Sequence, residues 1–228
     1  MYVLHIANKN YSSWSLRPWV LMRTLDIPFE EQLNPLPTGS SWNVYRQTSP
    51  NGRMPCLVDD GWAVWDSLAI VEYLAERHSG VWPADARARA WARSAAAEMH
   101  SGFSALRGAC SMSCGVRVEL FETSEALRHD LFRLGDLWND GLARFGGPFL
   151  AGGSFSAVDA FFAPVAFRLK SYRLAVEGAA AAYPPRLLDL PAMREWYVSA
   201  LAETWREPGH DAEIGAAGVI VEDLRATA

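Results

Sequence analysis

Between Tyr2 and Ala7 the chain reads as a short, β-rich apolar run, and from Ser15 to Leu25 (SLRPWVLMRTL) apolar side chains recur at helical intervals. This predicts a strand followed by a helix. Pro18 falls in the first turn if Ser15 caps that helix, where a missing N–H costs little. Ile27 to Leu33 predicts a second strand and Trp42 to Gln47 a short helical turn. Cys56 to Val58 and Ala63 to Trp65 predict two strands around the turn Asp59-Asp60-Gly61, a hairpin. Asp66-Ser67 precedes the periodic run Leu68, Ile70, Val71, Tyr73, Leu74, so a helix opens there with capping residues already in place. The predicted order is βαβαββα.

Past His78-Ser79-Gly80 and the Trp82-Pro83 break the pattern changes. Ala86 to Ala109 is rich in Ala and Arg at helical spacing, and no strand pattern stands out over roughly 130 residues. Glu125 to Phe145 places Leu127, Leu131, Leu134, Leu137, Trp138 and Leu142 on one face, which predicts a long amphipathic helix ended by Gly146-Gly147-Pro148. Pro191 to Leu201 predicts a shorter helix, and the Ala179 to Ala182 patch a helix end or loop. A second, all-helical domain is therefore expected from residue 84 onward.

Composition narrows the partners. With 50% apolar and 21% charged residues the chain can bury a full core, and its 228 residues leave one or two domains open until the change of periodicity decides for two. The 21 basic and 26 acidic side chains give a net charge of -5 with no basic run, which argues against a nucleic-acid partner. The longest apolar stretches, such as Ala157 to Ala166 with Asp159 inside it, fall short of the ~20 residues of a membrane span. The first residues pass directly to polar Asn8-Lys9-Asn10 without the parts of a signal peptide, so a cytoplasmic location is expected. Cys56, Cys110 and Cys114 have no His or Cys cluster to complete a zinc site, and they read as reduced thiols with no metal.

Three local features carry candidate chemistry. The first is the hydroxyl-rich loop Asn10-Tyr11-Ser12-Ser13-Trp14-Ser15-Leu16-Arg17 at the start of the first helix. Hydroxyls and unpaired N–H groups at a helix N-terminus stabilise an anion. A thiol, with an ordinary pKa of about 8.5, would be ionised and activated by such donors. Ser12 and Ser13 are the candidate donors and Tyr11 a third, while helix capping is the simpler role for the serines. The second feature is Ser49-Pro50-Asn51-Gly52-Arg53-Met54-Pro55-Cys56-Leu57, where Pro55 enters a strand it cannot donate to. The third is Trp65-Asp66-Ser67-Leu68-Ala69-Ile70, an acid and a hydroxyl at a helix start, suited to a zwitterion.

In this order the three features resemble the glutathione S-transferase superfamily. The loop is similar to the Ser-Ser-x-Ser-x-Arg stretch of zeta-class enzymes, with Trp14 in place of their cysteine. The resemblance implies an α/β thioredoxin-like N-terminal domain (1–80) that binds glutathione, and an all-α helical-bundle C-terminal domain (84–228) that contributes the electrophile pocket. It implies that Ser12, five positions before Arg17, or Ser13 contacts the sulfur. Pro55 would follow a cis bond, Met54 would pair main chain to main chain with the cysteinyl unit, and Arg53 would face the glycyl carboxylate. Asp66 would hold the α-amino group and Ser67 the γ-glutamyl carboxylate. His100 and Arg107, seven apart on one helix, join Trp14 as contacts to the second substrate. A homodimer is expected, as is conjugation of glutathione to an electrophilic small molecule in detoxification. Glutathione-dependent cis-trans isomerisation of the maleylacetoacetate type is an alternative, and a non-catalytic glutathione-binding or regulatory module is another. A disulfide reductase is disfavoured because no Cys stands in the loop. Gly153-x2-Ser156-x2-Asp159 resembles the superfamily's buried capping box and is assigned to folding.

Overall fold

The computed structural model describes residues 1–35 and 42–227. The first half runs β1 (Tyr2–Ile6), α1 (Ser13–Thr24), β2 (Phe29–Leu33), α2 (Trp42–Tyr45), β3 (Cys56–Asp59), β4 (Trp62–Val64) and α3 (Ser67–Ala75), the predicted order. Its sheet has the strand order β2-β1-β3-β4. β1 is parallel to β2, with Tyr2 opposite Phe29, and antiparallel to β3, with Leu4 opposite Leu57. The α1 crossover makes the first pair parallel, and the Asp60-Gly61 turn, with both residues at positive φ, makes the last pair a hairpin.

α1 begins two residues before the predicted start. Ser12, not Ser15, is its N-cap, so Pro18 lies inside the helix rather than in its first turn. Ser15 is displaced from capping because its hydroxyl is fully buried, accepting from Ala7 N at 3.1 Å.

The second half is helical: α4 (Ala86–Ser101), α5 (Ser104–Ala109), α6 (Glu125–Phe145), α7 (Ala157–Ser171), a 3-10 turn (Gly178–Ala182), α8 (Tyr183–Leu188), α9 (Pro191–Ala202) and α10 (Pro208–Ala217). α6 has the predicted bounds, capped by Ser124 and ended by Gly146 at φ 78. Two features depart from the sequence reading. The helix expected from Ala86 to Ala109 is broken at Gly102-Phe103, where Phe103 adopts a left-handed conformation (φ 54). A two-stranded antiparallel ribbon of β5 (Val116–Leu120) and β6 (Gly218–Asp223) also stands where no strand pattern was read.

α7 is the axis of this half. All its residues except Lys170 are buried, and it packs on α1, α4 and α8. The Ser156–Asp159 capping box starts it as expected. One apolar core runs from Leu4 and Trp19 through Phe161 and Phe162 to Trp196, so the two halves share their packing. Among the described residues no helix is long and apolar enough to cross a membrane.

Candidate functional site

The site is built where the loop from β1 to α1 meets the helical half. Glu203, just past α9, accepts from Lys9 N at 2.7 Å and from Asn10 N at 3.1 Å. Trp196 Nε1 donates to Lys9 O at 2.9 Å, and Asn10 Oδ1 accepts from Gly115 N at 3.1 Å. The C-terminal end of α9 and the segment entering β5 thus fix the chain just before the serines. Burial raises the Glu203 carboxyl pKa, while the two N–H donors and Lys9 oppose that rise.

The three hydroxyls of the loop have different fates. Tyr11 Oη donates to Asp211 Oδ1 and accepts from Arg225 Nη1, both at 3.0 Å, and burial followed by Asp211 raises its pKa. Ser12 Oγ accepts from Ser15 N at 3.4 Å as the helix cap and donates to Ser15 Oγ at 2.7 Å, so its proton is committed within the protein. Ser13 Oγ accepts from Arg168 Nη2 at 3.5 Å, and among the described residues nothing receives its proton.

Ser13 opens onto a cleft of ≈ 580 Å³ between the halves, which Ser12, Trp14, Arg53, Met54 and Arg107 also line. The Met54–Pro55 peptide is cis, and the Met54 main chain forms no hydrogen bond with another described residue. The structure therefore brings these predicted residues together. Pro55, Asp66, Ser67 and His100 are not part of the lining. Asp66 caps α3 through Oδ1 (Leu68 N, 3.0 Å), and its Oδ2 lies 3.5 Å from His100 Nε2. Ser67 is fully buried, and its Oγ has no partner among the described residues. Burial lowers the His100 pKa, with Arg17 and Arg107 adding to the effect against Asp66.

Trp14 links the two groups. Its ring meets the His100 ring edge-on at 5.2 Å and carries the guanidinium groups of Arg17 (4.2 Å) and Arg107 (4.7 Å). Arg17 is 2% exposed, and neither its Nε nor its Nη1 has a partner among the described residues. Burial, then the neighbouring charges of Arg107 and Arg168, pushes its pKa down to about 9. An unpaired buried cation weighs against folding. Arg17→Met, which keeps an apolar stem between Trp14 and Phe161, is therefore expected to leave the melting temperature unchanged or raise it by a few degrees, ~1–2 kcal/mol. A melting temperature lowered by that amount would show that the guanidinium is a net stabiliser.

Sequence reasoning missed Arg168, Ser111, His210 and Glu213 in the cleft wall. Arg168 donates through Nη1 to Arg107 O (3.3 Å) and Cys110 O, and burial lowers its pKa to about 10. Its one visible signal is a cation in the otherwise apolar run Ala160 to Leu169. Ser111 donates to Glu213 Oε2 at 2.8 Å across the cleft wall. The thiols of Cys56, Cys110 and Cys114 are unpaired and buried, and burial raises all three pKa values, that of Cys110 to about 12. Among the described residues no group of His, Cys, Asp and Glu is placed to hold a metal ion.

A mixed four-stranded sheet entered by a cis Met54–Pro55 bond whose Met54 lines the cleft, followed by a helical half, defines a thioredoxin-like domain joined to a helical domain. The family model described as glutathione S-transferase, N-terminal domain, matches residues 7–82, and that of the glutathione S-transferase C-terminal domain matches residues 121–198. The chain belongs to the glutathione S-transferase superfamily. It is 36% identical over 61 residues to the dichloromethane dehalogenase of Methylorubrum extorquens, a match spanning 26% of this chain and only 21% of that enzyme. Among solved structures, a glutathione transferase homologue from Burkholderia GL BGR1 with bound glutathione superposes with a TM-score of 0.66 at 22% identity, covering 87% of this chain and 97% of the other. The theta-class glutathione S-transferase of Xanthomonas axonopodis pv. citri, also with glutathione bound, gives 0.62 at 20% identity, covering 86% and 96%.

Proposed function

We propose that the chain is a glutathione transferase that holds the glutathione thiol against Ser13, ionises it, and directs the thiolate at an electrophilic small molecule in the cleft. The observation that carries this reading is the Ser13 hydroxyl, which faces the cleft at a helix N-terminus with its proton uncommitted while Arg168 donates to its oxygen. A hydroxyl that already accepts from a cation is a better donor, and a donor aimed at sulfur favours the thiolate. Ser12 supports the helix end and Ser13 makes the sulfur contact. The thiol proton leaves to solvent. The sulfur then forms a bond to the electrophilic carbon as the leaving group departs with its bonding pair.

Several features fit glutathione. The open main chain of Met54 matches the cysteinyl peptide, and the exposed Arg53 at the cleft suits the glycyl carboxylate. Asp66, whose side chain is about half exposed, serves the α-amino group, and the start of α3 at Ser67 serves the γ-glutamyl carboxylate. Trp14 and Arg107, which line the cleft, face the second substrate, and His100, outside the lining, acts on it through its edge-on contact with Trp14. Residues 1–80 act as the glutathione domain and residues 84–228 supply the electrophile pocket. The relatives with bound glutathione support the co-substrate.

We further propose a cytoplasmic homodimer acting in detoxification. Trp62 (72% exposed) and Trp65 (41%) offer apolar surface beside β4 for a second copy, and a solution mass of twice 25.2 kDa is expected by light scattering. A mass of one chain would remove the dimer from this account.

The test of function is calorimetric titration with glutathione followed by turnover of 1-chloro-2,4-dinitrobenzene. Binding with conjugation supports the transferase. Binding without turnover of any electrophile supports a glutathione-binding module instead, and absence of binding overturns the reading.

A further inference from the structure

We infer that the second substrate is an anion: the cleft holds an electrophile bearing a carboxylate, which Arg107 grips. The inference rests on the cleft being the place where the electrophile meets glutathione.

Three arginines converge on this wall without a salt-bridge partner among the described residues. Among the described residues no carboxylate oxygen lies within 4.0 Å of Arg17, Arg107 or Arg168, although arginines elsewhere are routinely paired, as Arg93 is with Glu72, Arg133 with Glu98 and Arg225 with Asp211. Glu213, the carboxylate in the lining, accepts from the Ser111 hydroxyl and forms no ion pair with these arginines, acting on Arg168 only from beyond 4.0 Å. Cations crowded together at low dielectric repel one another: after burial, the charges of Arg107 and Arg168 depress Arg17, and Arg107 acts in the same sense on Arg168 against the opposing influence of Cys110, Tyr172 and Glu213. An incoming anion relieves that repulsion, and a neutral substrate does not.

The three are not equivalent. Arg17 lies behind Trp14, and Arg168 is held by the carbonyls of Arg107 and Cys110 and by Ser13. Arg107 uses Nη1 on His100 O (3.2 Å), and its Nε and Nη2 have no partner among the described residues. Those two neighbouring N–H groups form the fork that receives both oxygens of a carboxylate, and the Trp14 ring, 4.7 Å away, supports the guanidinium through a cation–π contact. The carboxylates of glutathione are matched to Arg53 and to the start of α3, so Arg107 remains for the other substrate.

The experiment is calorimetric titration of the full chain with 3,5-dinitrobenzoate and with its neutral isostere 3,5-dinitrobenzamide, each with and without saturating S-methylglutathione. The carboxylate is expected to bind about tenfold tighter or more, the value of one charge-assisted contact. The preference should persist with S-methylglutathione present, collapse in Arg107→Met, and be partly kept in Arg107→Lys. Equal affinities in the wild type, a preference untouched by Arg107→Met, or displacement of the benzoate by S-methylglutathione would each overturn the inference. If S-methylglutathione fails to bind while the Arg107-dependent preference holds, the glutathione reading falls and the anion site stands.

Discussion

Ser13→Ala is expected to lower kcat/KM for glutathione conjugation by about 10²–10³-fold with little change in melting temperature, the usual cost of removing one preorganised donor to a developing anion. Ser12→Ala should do the converse. Its Oγ caps α1 and donates to the buried Ser15 hydroxyl. Its loss is expected to cost ~1 kcal/mol of stability, with a rate effect below about tenfold from a loosened helix end. The pair separates roles that adjacent serines would otherwise share. Steady-state kinetics and thermal melts on both variants check it, and a Ser12→Ala protein that is fully stable yet inactive would assign the sulfur contact to Ser12.

The largest expected stability loss lies far from the cleft. Asp159 is completely buried, and Tyr183 Oη (2.7 Å), Ser156 N (2.9 Å), Leu150 N (3.1 Å) and Ser156 Oγ (3.4 Å) all donate to it. Burial raises its pKa to about 6 despite these four donors. Asp159→Ala strands them in the core at the start of α7, the helix on which both halves pack. Each unsatisfied buried donor costs ~1–3 kcal/mol, and with partial relaxation the total is expected near 3–5 kcal/mol. That is a large share of the 5–15 kcal/mol typical of a folded protein. The midpoint of urea unfolding measures it. A loss under about 1 kcal/mol would mean that the capping box is not what anchors α7.

How much was legible in the sequence follows from the range of the interactions involved. α6 was readable to the residue because its leucine spacing, the Ser124 cap and Gly146 are all local signals. The βαβαββα order and the cis Met54–Pro55 bond followed from periodicity and from the resemblance. The break between α4 and α5 was not readable, because Phe103 in a left-handed conformation is imposed by packing and has no compositional mark. The β5–β6 ribbon pairs Val116 with Asp223, and the alternation in Val116-Arg117-Val118 is too short to announce a partner so distant in sequence. At the site, residue types were legible and their commitments were not. Ser12 and Ser13 look alike in the chain, and only the contacts to Ser15 and Arg168 distinguish them. Arg168 was hidden because a core helix rarely exposes an end to chemistry. Asp66, Ser67 and His100 lie outside the cleft lining, a tertiary outcome with no local mark, in which Trp14 of α1 meets the His100 ring of α4 edge-on.

The central claim is that Ser13 holds the glutathione sulfur as a thiolate. Its most direct test follows thiolate absorbance of bound glutathione against pH in the wild type, Ser12→Ala and Ser13→Ala. The account predicts a bound thiol pKa well below that of free glutathione in the wild type and in Ser12→Ala, returning toward the free value in Ser13→Ala. Glutathione bound with no shift in any of the three proteins would contradict it.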